Sequence, residues 1–350
     1  MGPRRVDRRQ VIAGSVAGLA TLITGCAASP KPAGRPPAGA TPAPPQPPVR
    51  ARPHLLAATK DPVVIAARAT VPVLCWHQLR DWQPSDAGYA RRLLICPPAA
   101  FRDQLDALVR AGFNTISPDS YLAHLTTGAP LPPRPVLLSF DDSQGSQISE
   151  GLPQLARRSM TATFFVMTVV LGKTGWMSRD DLRRLDAAGM SIAAHTWDHH
   201  RADGYTAADY PVQFDQPRQL LEHVLRKPVR HFAYPYGAWN TAEFAPLRTA
   251  GYATAFQLSD TAMDPQEPLH TLRRILVNST WSGSDLLTQL KRQDEGRRLL
   301  ADDGREVDDP AVALLHRDRL PRRCCRGRGT RPLLPPAGAE AAHVAARVAV

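Results

Sequence analysis

No apolar run in the 350-residue chain reaches the roughly 20 residues that a membrane-spanning helix needs, which excludes a mature protein threaded through a bilayer by such a helix. Cysteine is scarce, five residues without a Cys-x-x-Cys pair, so a finger-type structural zinc site is excluded. A basic binding face is also missing, although the net charge is +11. Residues 61–316 hold 26 basic and 29 acidic side chains, so the positive excess belongs to the two ends, and a folded nucleic-acid-binding surface is not expected. With 43% hydrophobic and 21% charged residues the composition is that of a globular protein, and the length suits one large domain or two ordinary ones.

The first 26 residues read as an export signal. Arg4, Arg5, Arg8 and Arg9 make a charged head, and Val11 to Ile23 is a short segment of small and apolar residues. Asp7-Arg8-Arg9-Gln10-Val11-Ile12 resembles a twin-arginine signal, and Ile23-Thr24-Gly25-Cys26 resembles a bacterial lipobox. The second resemblance implies cleavage before Cys26 and a diacylglycerol on its thiol, giving an exported lipoprotein at the cell membrane that faces away from the cytoplasm. Two or more acyl chains anchor stably where one does not. An ordinary cleaved signal is the alternative. Residues 27–60 form a Pro/Ala-rich linker, with ten prolines between 27 and 53, and are expected to be an extended, semi-rigid spacer. Residues 293–350 are expected to form a poorly ordered basic tail. From Arg317 onward they are rich in Arg, Pro and Ala without periodicity, suited either to an anionic envelope polymer or to no folded role.

Between these ends, residues 61–292 alternate strand and helix patterns. Val71 to Trp76, Val136 to Phe140, Ala162 to Met167, Met190 to Ala194, His231 to Tyr234 and Ala253 to Phe256 are short apolar or β-branched runs. Pro98 to Gly112, Gly151 to Arg158, Arg179 to Ala188, Pro217 to Leu225 and Ala242 to Ala250 carry helical spacing, three of them with Gly at or just past the end. Repeated β–α units predict a parallel sheet, and their number suits a closed or nearly closed barrel, with reactive residues just after the strand C-terminal ends. Cys75 and Cys96 fall inside this domain; in an exported protein they can pair, or each can be a buried small hydrophobe.

Three segments at strand ends hold the candidate chemistry. Ser139-Phe140-Asp141-Asp142 places two carboxylates at a turn, where one can face a ligand and the other a metal. His195-Thr196-Trp197-Asp198-His199-His200 puts three imidazoles directly after a strand, which is ligand chemistry for zinc and similar divalent ions. Phe232-Ala233-Tyr234-Pro235-Tyr236-Gly237 breaks a strand at Pro and Gly and leaves backbone N–H groups at its end.

In this order the three segments resemble the motifs of the polysaccharide deacetylase family (carbohydrate esterase family four), and Ala162-Thr163-Phe164-Phe165-Val166 resembles its next strand. The likeness covers about residues 70–290. It implies a distorted (β/α)7 barrel that removes N-acetyl groups from an amino-sugar polymer with a divalent metal, zinc foremost, with cobalt, nickel or iron as alternatives. Carried over, Asp141 is the general base, and Asp142, His195 and His199 hold the metal. The poly-N-acetylglucosamine subgroup sometimes uses a histidine one place later, here His200. The backbone N–H of Tyr236 serves the oxyanion. The family's third motif usually supplies an Arg to the base; Ala233 stands in its place, so Asp141 is expected to lack that partner. For the general acid His77 is preferred to His316. The partners implied are an N-acetylated polysaccharide and, through Cys26, a membrane; a monomer is expected. An O-acetyl esterase or a non-catalytic glycan-binding lipoprotein would use the same barrel.

Overall fold

The computed structural model describes residues 58–258 and 261–303. Cys26, His316, most of the linker and residues 304–350 of the basic tail lie outside the described residues.

Seven strands run parallel: β1 (Val73–Trp76), β2 (Pro135–Phe140), β3 (Thr163–Val166), β4 (Ser191–Ala194), β5 (His231–Ala233), β6 (Thr254–Phe256) and β7 (Ile275–Leu276). Their order is β7-β1-β2-β3-β4-β5-β6, and a short strand Asn114–Thr115 pairs with the start of β2. The two edges of this sheet are stitched by one segment. Leu272 bridges to Phe256 of β6, and three residues later Ile275 pairs with Leu74 of β1. The sheet therefore curls round on itself, as the sequence pattern and the family resemblance led us to expect.

Strands β1 to β6 each contribute to two apolar layers, because successive side chains point to opposite faces. Val73, Leu137, Phe165, Ala193, Ala233, Phe256 and Leu272 meet in one cluster, which Ile65, Tyr121 and Leu125 join from the helices Pro62–Arg68 and Pro118–Thr127. Leu74, Leu138, Phe164, Ile192, Phe232 and Ala255 belong to the other, shared with the outer helices. The first row continues past the strand ends at two-residue steps to Asp141 and His195, so the barrel's alternation selects which residues reach the site.

The helices start and stop where local chemistry dictates. Arg179–Ala187 is opened by a capping box between Ser178 and Asp181. Pro118–Thr127, which the sequence pattern did not single out, has Ser117 as N-cap and left-handed Gly128 as C-cap. The helix Gly283–Asp303 packs on Pro98–Arg110, and Leu286 and Leu290 are buried there. Gly283 permits that approach, since a Cβ there would sit 2.5 Å from the Ala107 Cβ. Cys75 and Cys96 are both buried and form no disulfide; burial pushes the Cys96 thiol up to about 12.

Candidate metal and catalytic site

The loops that follow β1, β2, β4 and β5 meet over one end of the barrel. After β2 the backbone turns sharply, with Asp142 at φ 74° and Ser143 at φ 66°. The left-handed region is costly for non-glycine residues and clusters at functional sites. After β4 the same conformation recurs at Thr196 (φ 63°) and His199 (φ 69°). The Thr196 hydroxyl accepts a hydrogen bond from His199 N at 3.0 Å, closing a local turn that folds His199 back beside His195. The two imidazole centroids are 4.9 Å apart.

Three ligand atoms converge in the space so made. His195 donates its Nδ1–H to the Ala233 carbonyl at 2.7 Å, which fixes the tautomer and leaves Nε2 bare. That Nε2 is 3.5 Å from Asp142 Oδ1, and His199 Nε2 is 3.1 Å from the same oxygen. Asp142 Oδ1 is buried yet lacks a hydrogen bond of sound geometry. One atom from each of Asp142, His195 and His199 lies within 4.8 Å of the others. A buried carboxylate oxygen without a proper donor, facing two imidazole nitrogens, fits a divalent cation, and mixed His/Asp sets suit zinc and its neighbours. His200 does not join this set. It is mostly exposed, and its Nδ1 pairs with Asp198 at 2.8 Å.

Electrostatics agree with that geometry. Burial pushes the Asp142 carboxyl up, but the nearby imidazoles, His199 first and then His77, outweigh it and hold it well below the usual range. Burial lowers His199, and the adjacent Asp142 more than restores it, so the ring is held above its ordinary value. A cation must displace that proton. Metal affinity is therefore expected to fall as pH drops through a point above the ordinary imidazole value of about 6.5. Equilibrium dialysis against zinc between pH 5 and pH 8 measures this; affinity independent of pH across that range would contradict it.

Asp141 sits beside the cluster, its Oδ2 3.7 Å from His195 Nε2. The expectation that it lacks an arginine is corrected. Arg274, in the stitching segment just before β7, grips it with both nitrogens: Nη1 to Oδ1 at 2.6 Å and Nη2 to Oδ2 at 2.8 Å. The guanidinium is fully buried and lies 5.0 Å over the Phe165 ring. Burial raises the Asp141 carboxyl, and Arg274 followed by His195 more than offsets it, leaving the group ionised. Position 233, where the family motif led us to look for a cation, instead supplies the carbonyl that orients His195.

His77 follows β1, and one of its ring nitrogens is within 4.8 Å of an Asp141 oxygen. Its Nδ1 is buried without a partner. Burial pushes its pKa down, with Asp142 and Asp141 opposing. Tyr236, after β5, has φ 59°, and its ring meets His199 edge-on at 4.7 Å between centroids while remaining 45% exposed. Gly237 follows at φ 66°; a Cβ there would meet Leu258 N at 2.6 Å. Trp197, in the loop after β4, and Tyr89, in the short helix Gly88–Leu93 that follows β1, present exposed aromatic rings.

Comparison with known proteins points the same way. Residues 128–255 match the family model described as polysaccharide deacetylase. That span contains Asp141, Asp142, His195, His199 and Tyr236; His77 and Arg274 lie outside it. YxkH of Bacillus subtilis (strain 168), which carries the name of a polysaccharide deacetylase, is 23% identical over 216 residues, 62% of this chain and 74% of the relative. The poly-beta-1,6-N-acetyl-D-glucosamine N-deacetylase of Staphylococcus aureus is 24% identical over 161 residues, 42% of this chain and just over half, 56%, of the relative. Among solved structures, the Streptococcus pyogenes deacetylase PplD superposes with a TM-score of 0.58 at 22% identity, over 63% of this chain and 97% of that one, which establishes a shared fold.

Proposed function

We propose, from the premise that this chain carries a polysaccharide deacetylase domain, that its site hydrolyses N-acetyl groups on an amino-sugar polymer of the cell envelope or its surroundings. The observation that carries the reading is the unhydrogen-bonded Asp142 oxygen facing His195 and His199, with Asp141 ionised alongside. A pure glycan binder needs no such set. The Staphylococcus relative, whose printed substrate is an N-acetylglucosamine polymer, supports the substrate class.

Asp142, His195 and His199 would hold the divalent cation, which we take to be zinc. When bound, such an ion lowers the pKa of water and polarises an acyl oxygen. Asp141 takes the attacking water's proton; the Arg274 grip keeps it unprotonated and aimed. The Tyr236 backbone N–H donates to the oxyanion, a contribution of about 3 kcal/mol in comparable sites. His77 gives a proton to the leaving amine. Its lowered pKa makes the protonated ring a stronger acid while reducing the fraction that carries the proton.

Acetate release from a chitin-type oligomer, with and without chelator, tests the activity. Release only from an O-acetylated glycan would make the protein an esterase. The choice of acid has its own test. With His77 in the role, a chain ending after Arg292 keeps Leu286 and Leu290 in the core and retains amide hydrolysis. His77→Ala should then lose about 10²–10⁴-fold without losing metal. A truncated, metal-loaded protein with under a hundredth of full-length turnover would transfer the role to His316.

We also propose that Cys26 is lipidated after export, so that the monomeric domain stands off the outer face of the cell membrane on its proline-rich spacer. Cys26→Ser should appear soluble outside the cytoplasm or as an uncleaved precursor. A wild-type protein that never incorporates labelled fatty acid would refute the anchor.

A further inference from the structure

We infer that Gln147 is a positioning residue that sets His77 against Asp141; the inference rests on His77 acting as the acid. Gln147 is fully buried, in a single π-helical turn (Gln147–Gly151) that follows β2. Such turns are rare and recur at functional sites. Its side-chain Nε2 donates to two carbonyls at once, Asp141 O at 2.5 Å and His77 O at 2.9 Å. Two acceptors demand an NH₂ group, so the amide's orientation follows from the chemistry of its partners. Its Oε1 is buried without a partner. The neighbouring Ser146 hydroxyl accepts from Leu79 N at 3.0 Å, two residues beyond His77. The turn after β2 therefore clasps the end of β1 at two points.

The clasp acts where no ladder reaches. The β1–β2 register ends at Trp76 and Phe140, with Asp141 N bonding back to Trp76 O at 3.1 Å. Beyond it, His77 leaves the sheet and Asp142 enters the left-handed region. Gln147 joins the backbone oxygens of the two residues at that divergence. One amide thereby fixes both the spacing of acid and base and the carbonyl preceding the strained Asp142. Asparagine is one methylene short of spanning both acceptors, and glutamate supplies at most one donor, only when protonated.

The test measures full-length, metal-loaded Gln147→Met on a chitin-type oligomer and on 4-nitrophenyl acetate, whose leaving group needs little protonation. We expect amide kcat to fall about tenfold to a hundredfold, as small misplacements of reacting groups do, with KM and metal content unchanged and ester turnover within about threefold of wild type. In a His77→Ala background the same change should cost less than about threefold more, because coupled residues are non-additive. Equal losses on amide and ester, or full additivity, would overturn the positioning role. Should Gln147→Met not fold, Gln147→Glu keeps the volume; its amide activity relative to metal-loaded wild type at the same pH should rise as pH falls and the carboxyl regains a donor, and a ratio that does not change with pH would equally overturn the role. If His77→Ala is itself mild, the acid assignment fails; if His77→Ala is severe and Gln147→Met is mild, only the clasp fails.

Discussion

Asp142→Ala is expected to emerge from purification without metal, whereas Asp141→Asn should retain it and show almost no turnover. The two carboxylates are neighbours in sequence but not in surroundings. Asp142 presents a buried oxygen, short of proper donors, to two imidazole nitrogens. Both oxygens of Asp141 are occupied by Arg274, which leaves it a proton acceptor and a poor ligand. Removing one of three protein ligands should weaken binding by well over tenfold, since even residues behind the ligands cost 10–100-fold. Removing the base should cost about 10²–10⁴-fold in kcat. Metal content by atomic spectroscopy, measured on the same samples as acetate release, separates the roles. Metal loss in Asp141→Asn with retention in Asp142→Ala would reverse the assignment.

Arg274→Met should be nearly as damaging and in a different way. Breaking a buried pair strands a charge, at a cost of about 3–5 kcal/mol. In the native protein Asp141 is held below its unfolded value of about 3.9. Its contribution to stability is thus present above that value and lost only as pH falls through the lower folded pKa. Without the guanidinium, burial loses its main opponent, His195 and His77 alone remaining against it, and the carboxyl moves up. The acid limb of the activity profile should then move to higher pH, and denaturant midpoints should fall at neutral pH more than at pH 3. A folded Arg274→Met protein with an unmoved acid limb would contradict the pairing.

Much of this is legible in the sequence. The six anticipated strands appear within a few residues of their expected bounds, because each is a compact apolar or β-branched run, most of them flanked by Gly or Pro. The helix predicted over Arg179 to Ala188 ends one residue earlier, its capping box visible in Ser178 and Asp181. The convergence of Asp142, His195 and His199 follows from strand-end placement plus a Thr-centred turn. Arg274 escaped notice because its partner is 133 residues away and it adjoins a second arginine. A trace of it was present: in Leu272-Arg273-Arg274-Ile275 the inward step of two from Leu272 lands on Arg274, and a cation on the inner row of a barrel needs a counter-charge. Gln147 left no comparable trace, since nothing in the sequence marks a π-helical turn. The helix Pro118–Thr127 was missed although Ser117 and Gly128 are ordinary caps, because its apolar residues are few.

The stitching segment has a consequence for how the protein fails. Residues 272–276 are at once the last rung between the two sheet edges and the carrier of the guanidinium that keeps Asp141 ionised. Short terminal strands are the first to open in native-state fluctuations. Each such excursion withdraws the positive charge, and the abandoned carboxyl is free to take up a proton. Inactivation on warming should therefore precede global melting and track the exchange of the Leu272 and Val277 amides, which bond to β6 and β1 respectively. Fastening that seam, for instance by lengthening β7, would extend the working temperature of the enzyme without touching a single reacting group.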